Sequence, residues 1–191
     1  MSGSAKAPLP TVRPDYNVTA LKRWHLGTSY VDITQWLTRL FGAPGFRPAH
    51  GPPPVLVVDE TGVGVAVVEM IREAMVRAGA EGYMLAVTIT AGSAVTMPVS
   101  AHWRVAKKAL ASVLVTLFSN RRLHIADLPE RALLIREAEA FSVKITPEGN
   151  ETFESWRDSE HDDLVLALAL ACWAAEWIDW RNQLPWPPGQ P

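Results

Sequence analysis

The chain has 191 residues, of which 48% are hydrophobic, and this composition can build one globular domain with a substantial core. Its formal net charge of −2 excludes a surface that attracts nucleic acid as a whole, so any such contact must come from a local group of Lys and Arg. The one cysteine, Cys172, excludes an intrachain disulfide and a zinc site built on several thiolates, and predicts a reducing, cytoplasmic setting.

The apolar segments do not predict contact with a membrane. Residues 1–6 lack the apolar stretch of a signal peptide. The longest apolar run, residues 164–175, is well short of the roughly 18 to 20 residues that a helix needs to cross a bilayer. We therefore expect no export and no membrane span, and we interpret this run as a buried core helix.

Prolines separate the two ends of the chain from its middle. They occur at positions 8, 10 and 14 and again from Pro185 onward, where they remove backbone donors and oppose helix formation. We expect one domain over residues 16–181, between a disordered Pro-rich N-terminus of residues 1–15 and a Pro-rich tail of residues 182–191.

The first half of this domain alternates between strand and helix patterns. Short β-branched or apolar runs between turn residues are typical of strands, and apolar residues three and four positions apart are typical of helices. In chain order, the patterns predict a strand within Asn17–Leu26, a helix over Tyr30–Phe41, a buried strand over Val55–Val58, a helix over Val63–Ala78 and a strand over Tyr83–Thr90.

The second half continues the alternation. The segment Ala91–Trp103 is interpreted either as a flexible hairpin over a substrate or as a plain connection. After it, the patterns predict a helix over Val105–Phe118, a short strand over Arg122–Ile125, a helix over Pro129–Ala140, a strand over Phe141–Ile145 and a final helix that Asp162 or Asp163 caps and that ends near Trp180. This order of elements implies an α/β sandwich whose sheet is at least partly parallel.

Asp59 is the first residue that indicates chemistry. It follows the buried strand directly and precedes a tight turn through Gly62 and Gly64. Catalytic and ligand-binding groups of open α/β sheets gather at such carboxyl ends of strands. The alternative is an ordinary turn in which Asp59 or Thr61 caps the next helix.

A second acidic position, Asp162-Asp163, stands at the start of the most apolar helix. One aspartate there is explained by helix capping and by the helix dipole. A second one beside a run of apolar residues is costly unless it is paired or binds a cation. Carboxylate oxygens from distant parts of a chain are the ligands that Mg²⁺ and Mn²⁺ use in phosphodiester cleavage.

The two acidic positions belong to a series of five segments, namely Leu56–Gly64, Val87–Thr90, Arg104–Lys108, Phe141–Ile145 and His161–Ala169. In their order and spacing, from about Tyr16 to Trp177, they resemble the C-terminal nuclease domain of the large terminase subunits of tailed phages and prophages. The resemblance implies a ribonuclease H-like mixed sheet flanked by helices, with an acidic centre that binds two Mg²⁺ or Mn²⁺ ions and cuts double-stranded DNA during genome packaging.

The resemblance also assigns the acids. Asp59 matches the second acid of the family, on the central strand, and Asp163 or Asp162 matches the third, at the final helix; we favour both, with Asp163 ahead. The first acid of the family lies on an opening strand that has no counterpart here, since Asp15 follows Pro14 outside any apolar strand. The ATPase domain that precedes the nuclease domain in terminases has no counterpart either. We therefore expect an N-terminally truncated domain, crippled in cleavage unless the missing acid is dispensable or supplied by another chain.

Basic residues suggest a track for DNA phosphates. Arg104, Lys107 and Lys108 lie within one turn, and Arg121 and Arg122 lie at the other end of the same helix. Such a cluster can supply affinity that does not depend on DNA sequence. The alternative is a solvated helix face.

Three functions follow, from different classes. The first is a two-metal endonuclease of viral DNA packaging, with double-stranded DNA, a terminase ATPase domain and the portal or other packaging proteins as partners. The second is a non-catalytic DNA-binding or terminase-binding module, a degenerate prophage remnant. The third, a nucleotide-binding domain that uses Gly62-Val63-Gly64, is disfavoured because the turn lacks the motifs that bind phosphates.

Overall fold

The computed structural model of the protein describes residues 13–46, 53–62, 64–80, 82–91, 95–99, 102–143 and 162–177. Within these ranges the strands are β1 (Tyr16–Val18), β2 (Val55–Asp59), β3 (Tyr83–Thr90), β4 (Thr96–Val99), β5 (His102–Ala106) and β6 (Leu123–Ile125). The helices are α1 (Tyr30–Gly42), α2 (Gly64–Arg77), α3 (Lys107–Ser119), α4 (Arg131–Val143) and α5 (Asp163–Trp177). The expected α/β class is confirmed.

Within the described ranges, the main sheet has four strands in the order β2-β3-β5-β4. β2, β3 and β5 are parallel, and β4 runs antiparallel to β5, so the sheet is mixed. A separate parallel pair joins β1 to β6. β2 is an outer strand of the sheet, whereas the resemblance places the strand of the second acid at the centre.

Side-chain alternation gives the main sheet two apolar faces. Residues of β3 such as Leu85 and Val87 enter the larger core, which includes buried residues of α3, α4 and α5. On the opposite face, Met84 and its neighbours in β2 pack with a smaller cluster from α1 and α2. Because successive side chains of a strand point to opposite faces, one short strand contributes to both cores.

Close backbone contact at the start of β2 and β3 requires a glycine. A Cβ atom on Gly82 would lie 2.8 Å from the carbonyl oxygen of Pro54 and 3.0 Å from the ring of Phe41. The amide of Tyr83 donates to that same carbonyl over 2.9 Å. Gly82 therefore allows the two strands to begin side by side beneath α1.

The final helix is a core element, as its composition predicts. Eight of its residues are buried: Leu164, Val165, Leu168, Ala169, Leu170, Cys172, Trp173 and Ala174. Burial raises the pKa of the Cys172 thiol to about 12, so this cysteine stays protonated at neutral pH. No helix in the part of the chain that the structure describes has the length and apolar character to cross a membrane.

The structure corrects three predicted elements. The strand expected within Asn17–Leu26 is limited to Tyr16–Val18. Residues 141–143, expected to begin a strand, form the last turn of α4, while 144 and 145 lie outside the described residues. The segment interpreted as a hairpin or a connection contains β4 and the first two residues of β5, which pair antiparallel inside the main sheet. β5 continues through Ala106, so the helix expected from Val105 begins at Lys107.

A partly buried ion pair joins the small β1–β6 sheet to α5. The guanidinium of Arg122 donates two hydrogen bonds to the carboxylate of Glu176, at 2.6 and 3.0 Å. It also donates twice to the carbonyl of Pro14, and the hydroxyl of Tyr16 donates to Glu176 over 2.6 Å. The hydrogen bond from Arg122 holds the pKa of Glu176 below its ordinary value.

This ion pair predicts a pH-dependent stability. A carboxyl group whose pKa is lowered on folding stabilises the protein at pH values above its ordinary pKa of 4.5. This stabilisation is lost as the pH falls through the lowered pKa of the folded state. We expect Glu176→Gln to lower the free energy of unfolding by about 2 kcal/mol at pH 7, and by less at pH 3. Urea unfolding at both pH values measures the difference. The exposed Glu73→Gln is the control, and an equal loss for Glu176→Gln at both pH values would contradict the role of the charge.

Candidate functional site

Asp59 is the last residue of β2 and is half-buried. Val55 and Val57 pack against the larger core, so strand alternation places Asp59 on the same face of the sheet. The side-chain oxygen Oδ1 of Asp59 accepts a hydrogen bond from the amide of Thr61 over 2.8 Å. Gly64, with a φ of 71°, lets the chain turn sharply into α2. The expected strand–acid–turn unit is present, and its carboxylate is held by the turn.

Two contacts give the direction of α5. Near its end, Trp173 packs edge to face on Trp103, with 5.5 Å between ring centroids, and Trp103 lies near the start of β5. Just before its beginning, Asp162 lies 3.7 Å from the Nζ atom of Lys107, which follows directly after β5. The helix therefore runs antiparallel to β5, and its N-terminus lies at the carboxyl edge of the parallel strands.

The N-terminus of α5 is capped by another helix. The Oε2 atom of Glu137, in α4, accepts hydrogen bonds from the amides of Leu164 and Val165, over 2.8 and 3.0 Å. The Glu137 side chain is only 3% exposed. Asp162 takes the predicted capping position, since its carbonyl oxygen accepts a hydrogen bond from the amide of Leu166 over 3.0 Å. The carboxylate that accepts from the amides of Leu164 and Val165 belongs to Glu137 and not to Asp162 or Asp163.

Both aspartates carry ion pairs instead. The Nη2 atom of Arg23 lies 3.0 Å from Oδ2 of Asp163, and its Nη1 atom lies 3.4 Å from Oε1 of Glu137. Asp162 pairs with Lys107. Asp163 is 73% exposed, so its pair with Arg23 is screened by water, while Asp162 is more enclosed. Three carboxylates thus meet two cations at the start of α5.

The carboxylates suit a hard cation, with one restriction. Mg²⁺ and Mn²⁺ take oxygen ligands, which Asp59, Asp162 and Asp163 offer from one edge of the sheet. Among the described residues, no group of three or more His, Cys, Asp or Glu side chains lies close enough together to hold a metal ion. Mg²⁺ commonly binds through one or two carboxylates, keeps several waters and contacts the phosphates of its substrate. The described residues therefore do not form a cage made of protein alone.

The basic residues expected to contact DNA divide into separate places. Arg104 on β5 and Lys108 on α3 are exposed, and Lys107 is half-buried beside Asp162. Arg121 is exposed just beyond the far end of α3, a helix that spans about 18 Å from Lys107 to Ser119 at 1.5 Å per residue. Arg122 is 8% exposed and its guanidinium is occupied by Glu176 and Pro14. We therefore remove Arg122 from the DNA-contacting set.

A second polar cluster lies on the opposite face of the sheet. Oε1 of Glu60 accepts a hydrogen bond from the hydroxyl of Thr88 over 2.7 Å, and Oε2 lies 3.0 Å from Nδ1 of His102. The hydroxyl of Thr61 accepts from the amide of Ile89 over 2.8 Å. These contacts tie the turn after β2 to β3 and β5. They fix the position of Asp59 through its neighbours in sequence.

Sequence reasoning missed two residues at the start of α5. Arg23 pairs with Asp163 and Glu137, and Glu137 accepts from the first amides of the helix. Glu137 carries a signal, because it stands three residues after the buried Leu134 and four before the buried Phe141, on the apolar side of α4. A carboxylate on such a side needs a partner. Arg23 carries no comparable signal, since it lies in a segment without helix or strand.

No family model matches the chain, and no curated protein or solved structure is significantly similar to it. The resemblance to terminase nuclease domains therefore rests on the residues of the chain alone.

The capping role of Glu137 can be tested by substitution. Glu137→Ala leaves two backbone amides at the start of a buried helix without their acceptor and leaves Arg23 without its buried partner. We expect a loss of about 3 kcal/mol in the free energy of unfolding, measured by urea denaturation. Glu137→Gln keeps an acceptor oxygen and should lose less. The exposed Glu73→Ala should change stability by less than about 0.5 kcal/mol, and an equally small effect of Glu137→Ala would contradict the role.

Proposed function

We propose that this chain is a DNA-cleaving domain of the terminase nuclease type, with a ribonuclease H-like arrangement of its sheet and final helix. In this proposal Asp59, Asp162 and Asp163 bind Mg²⁺ or Mn²⁺ at the carboxyl edge of the sheet. The substrate is double-stranded DNA, and the reaction is hydrolysis of its phosphodiester bonds.

One observation carries the proposal: the direction of α5 brings its N-terminus to the edge at which β2 ends in Asp59. Asp59 also belongs to the face of the sheet that α5 covers, and α5 packs against β2. β2 and β5 are separated by two strand spacings, about 10 Å. Acids from positions more than 100 residues apart in sequence therefore share one side of one edge.

The residues around the acids have separable tasks. The amide of Thr61 orients the carboxylate of Asp59, and Lys107 and Arg23 limit the repulsion between the acids. The exposed Lys108 is available to contact backbone phosphates, whereas Arg104 lies on the opposite face of the sheet, in register with Thr88. A bound divalent cation supplies Lewis acidity and a water of lowered pKa.

The second candidate is a DNA-binding or terminase-binding module without cleavage, which would contact DNA, the ATPase domain or the portal. Two observations favour it. Asp162 and Asp163 already have cationic partners from the protein itself. In addition, the described residues contain no group of three metal-binding side chains.

Nicking of supercoiled plasmid in the presence of Mn²⁺ separates these two functions. The wild-type protein should nick the plasmid, and Asp59→Asn should lower the rate by about a hundredfold or more, because a neutral amide binds the cation far more weakly than a carboxylate. A chelator should abolish nicking. The fully exposed Asp127→Asn is the matched control and should act like the wild type.

Nicking that is equal in the wild type and Asp59→Asn would contradict the assignment of this acid. A folded wild-type protein that binds DNA in a salt-dependent manner but does not nick it would favour the second candidate.

A further inference from the structure

β2 is an outer strand of the main sheet with the composition of an inner one. Residues 55–58 are Val, Leu, Val and Val; the strand has one charge, at its last residue Asp59, and prolines only before its first residue. Val55 and Val57 pack in one core, and Leu56 and Val58 pack in the other. Among the described residues, β2 pairs with β3 alone. Its other edge is therefore a template for another strand.

The hydrogen bonds to β3 show which groups of β2 point to this edge. The amide of Tyr83 donates to Pro54, and the amide of Glu60 donates to Val87, each over 2.9 Å. Backbone groups of a strand alternate in direction, so residues 54, 56, 58 and 60 point to β3. Val55, Val57 and Asp59 therefore point their N–H and C=O groups away from β3. No described residue hydrogen-bonds to these groups.

We infer that this edge is a pairing site for a second copy of the chain, joined through antiparallel β2 strands about a two-fold axis at Val57. In this register Val57 faces the partner's Val57, and Val55 faces the partner's Asp59. Opposed residues of this type exchange both of their N–H···O=C bonds. All three outward donors and all three outward acceptors of each strand are thereby satisfied, and the main sheet becomes continuous through both copies.

Charge favours a second copy in this orientation. Antiparallel pairing places the two Asp59 carboxylates at opposite ends of the joined strands, about 14 Å apart at 3.4 Å per residue. Parallel pairing would place them side by side, where like charges repel. The antiparallel register also sets Val57 of both copies side by side on the face of the larger core. The inference uses the backbone of Asp59 and does not depend on the proposed function.

Sedimentation equilibrium at a series of micromolar concentrations tests the pairing, with Val57→Pro compared with Val57→Ala. Proline removes the outward N–H, and with it both central hydrogen bonds of the symmetric pair, while the bonds to β3 remain. Alanine shortens the same side chain and keeps the N–H. We expect the wild type and Val57→Ala to dimerise, and Val57→Pro to dimerise about tenfold more weakly or worse. Circular dichroism confirms that each variant is folded.

A second variant and a second readout cover the case in which Val57→Pro fails to fold. Val55→Pro stands at the first residue of the strand, where proline is tolerated, and removes a different outward N–H. In the wild type, hydrogen exchange of the amides of Val55, Val57 and Asp59 should slow as the protein concentration rises. A monomeric wild type with fast exchange at these amides, or a dimer that neither proline variant weakens, would overturn the inference.

Discussion

The start of α5 is held from outside the helix by the buried carboxylate of Glu137, and the position of the candidate site depends on this contact. Helices leave their first amides without partners, and those of a buried helix need an acceptor. The two amides after Asp163 find theirs in α4. The Glu137 side chain is nearly inaccessible to water. A shift of α5 would therefore leave the Glu137 carboxylate and the two amides without hydrogen-bond partners in the core.

The sheet supplies the other half of the arrangement. The three parallel strands place the ends of β2 and β5 at one edge of the sheet. Trp173, near the C-terminus of α5, packs on Trp103 near the start of β5, so the N-terminus of α5 lies at the edge where β2 and β5 end. The ion pair between Arg122 and Glu176 anchors the far end of α5. Contacts at both ends of one helix therefore set the height of Asp162 and Asp163 above the sheet.

The sequence pattern predicted a helix or strand correctly where the local residues alone favour that structure. β3 has the predicted bounds because its apolar run is long and starts after Gly82. β5 was missed because it is short, includes polar His102 and Arg104, and continues into α3 without a turn. Phe141 and Val143 are of strand-forming types, but residues 141–143 extend α4, and Phe141 is buried there in the larger core. The acids could be named from their positions after a strand and before a helix. Their partners Arg23 and Glu137 come from other elements, which no local pattern identifies.

We propose that Asp59 and the start of α5 form one cation site, and a titration of ¹⁵N-labelled protein with Mn²⁺ is the measurement that tests this arrangement. A paramagnetic ion broadens the amide signals of nearby residues. We expect the signals of residues 60 and 61 and of residues 163–165 to broaden together, at the same Mn²⁺ concentration, and Asp59→Asn to weaken both responses. Broadening at one of the two segments alone, or at neither, would contradict a shared site.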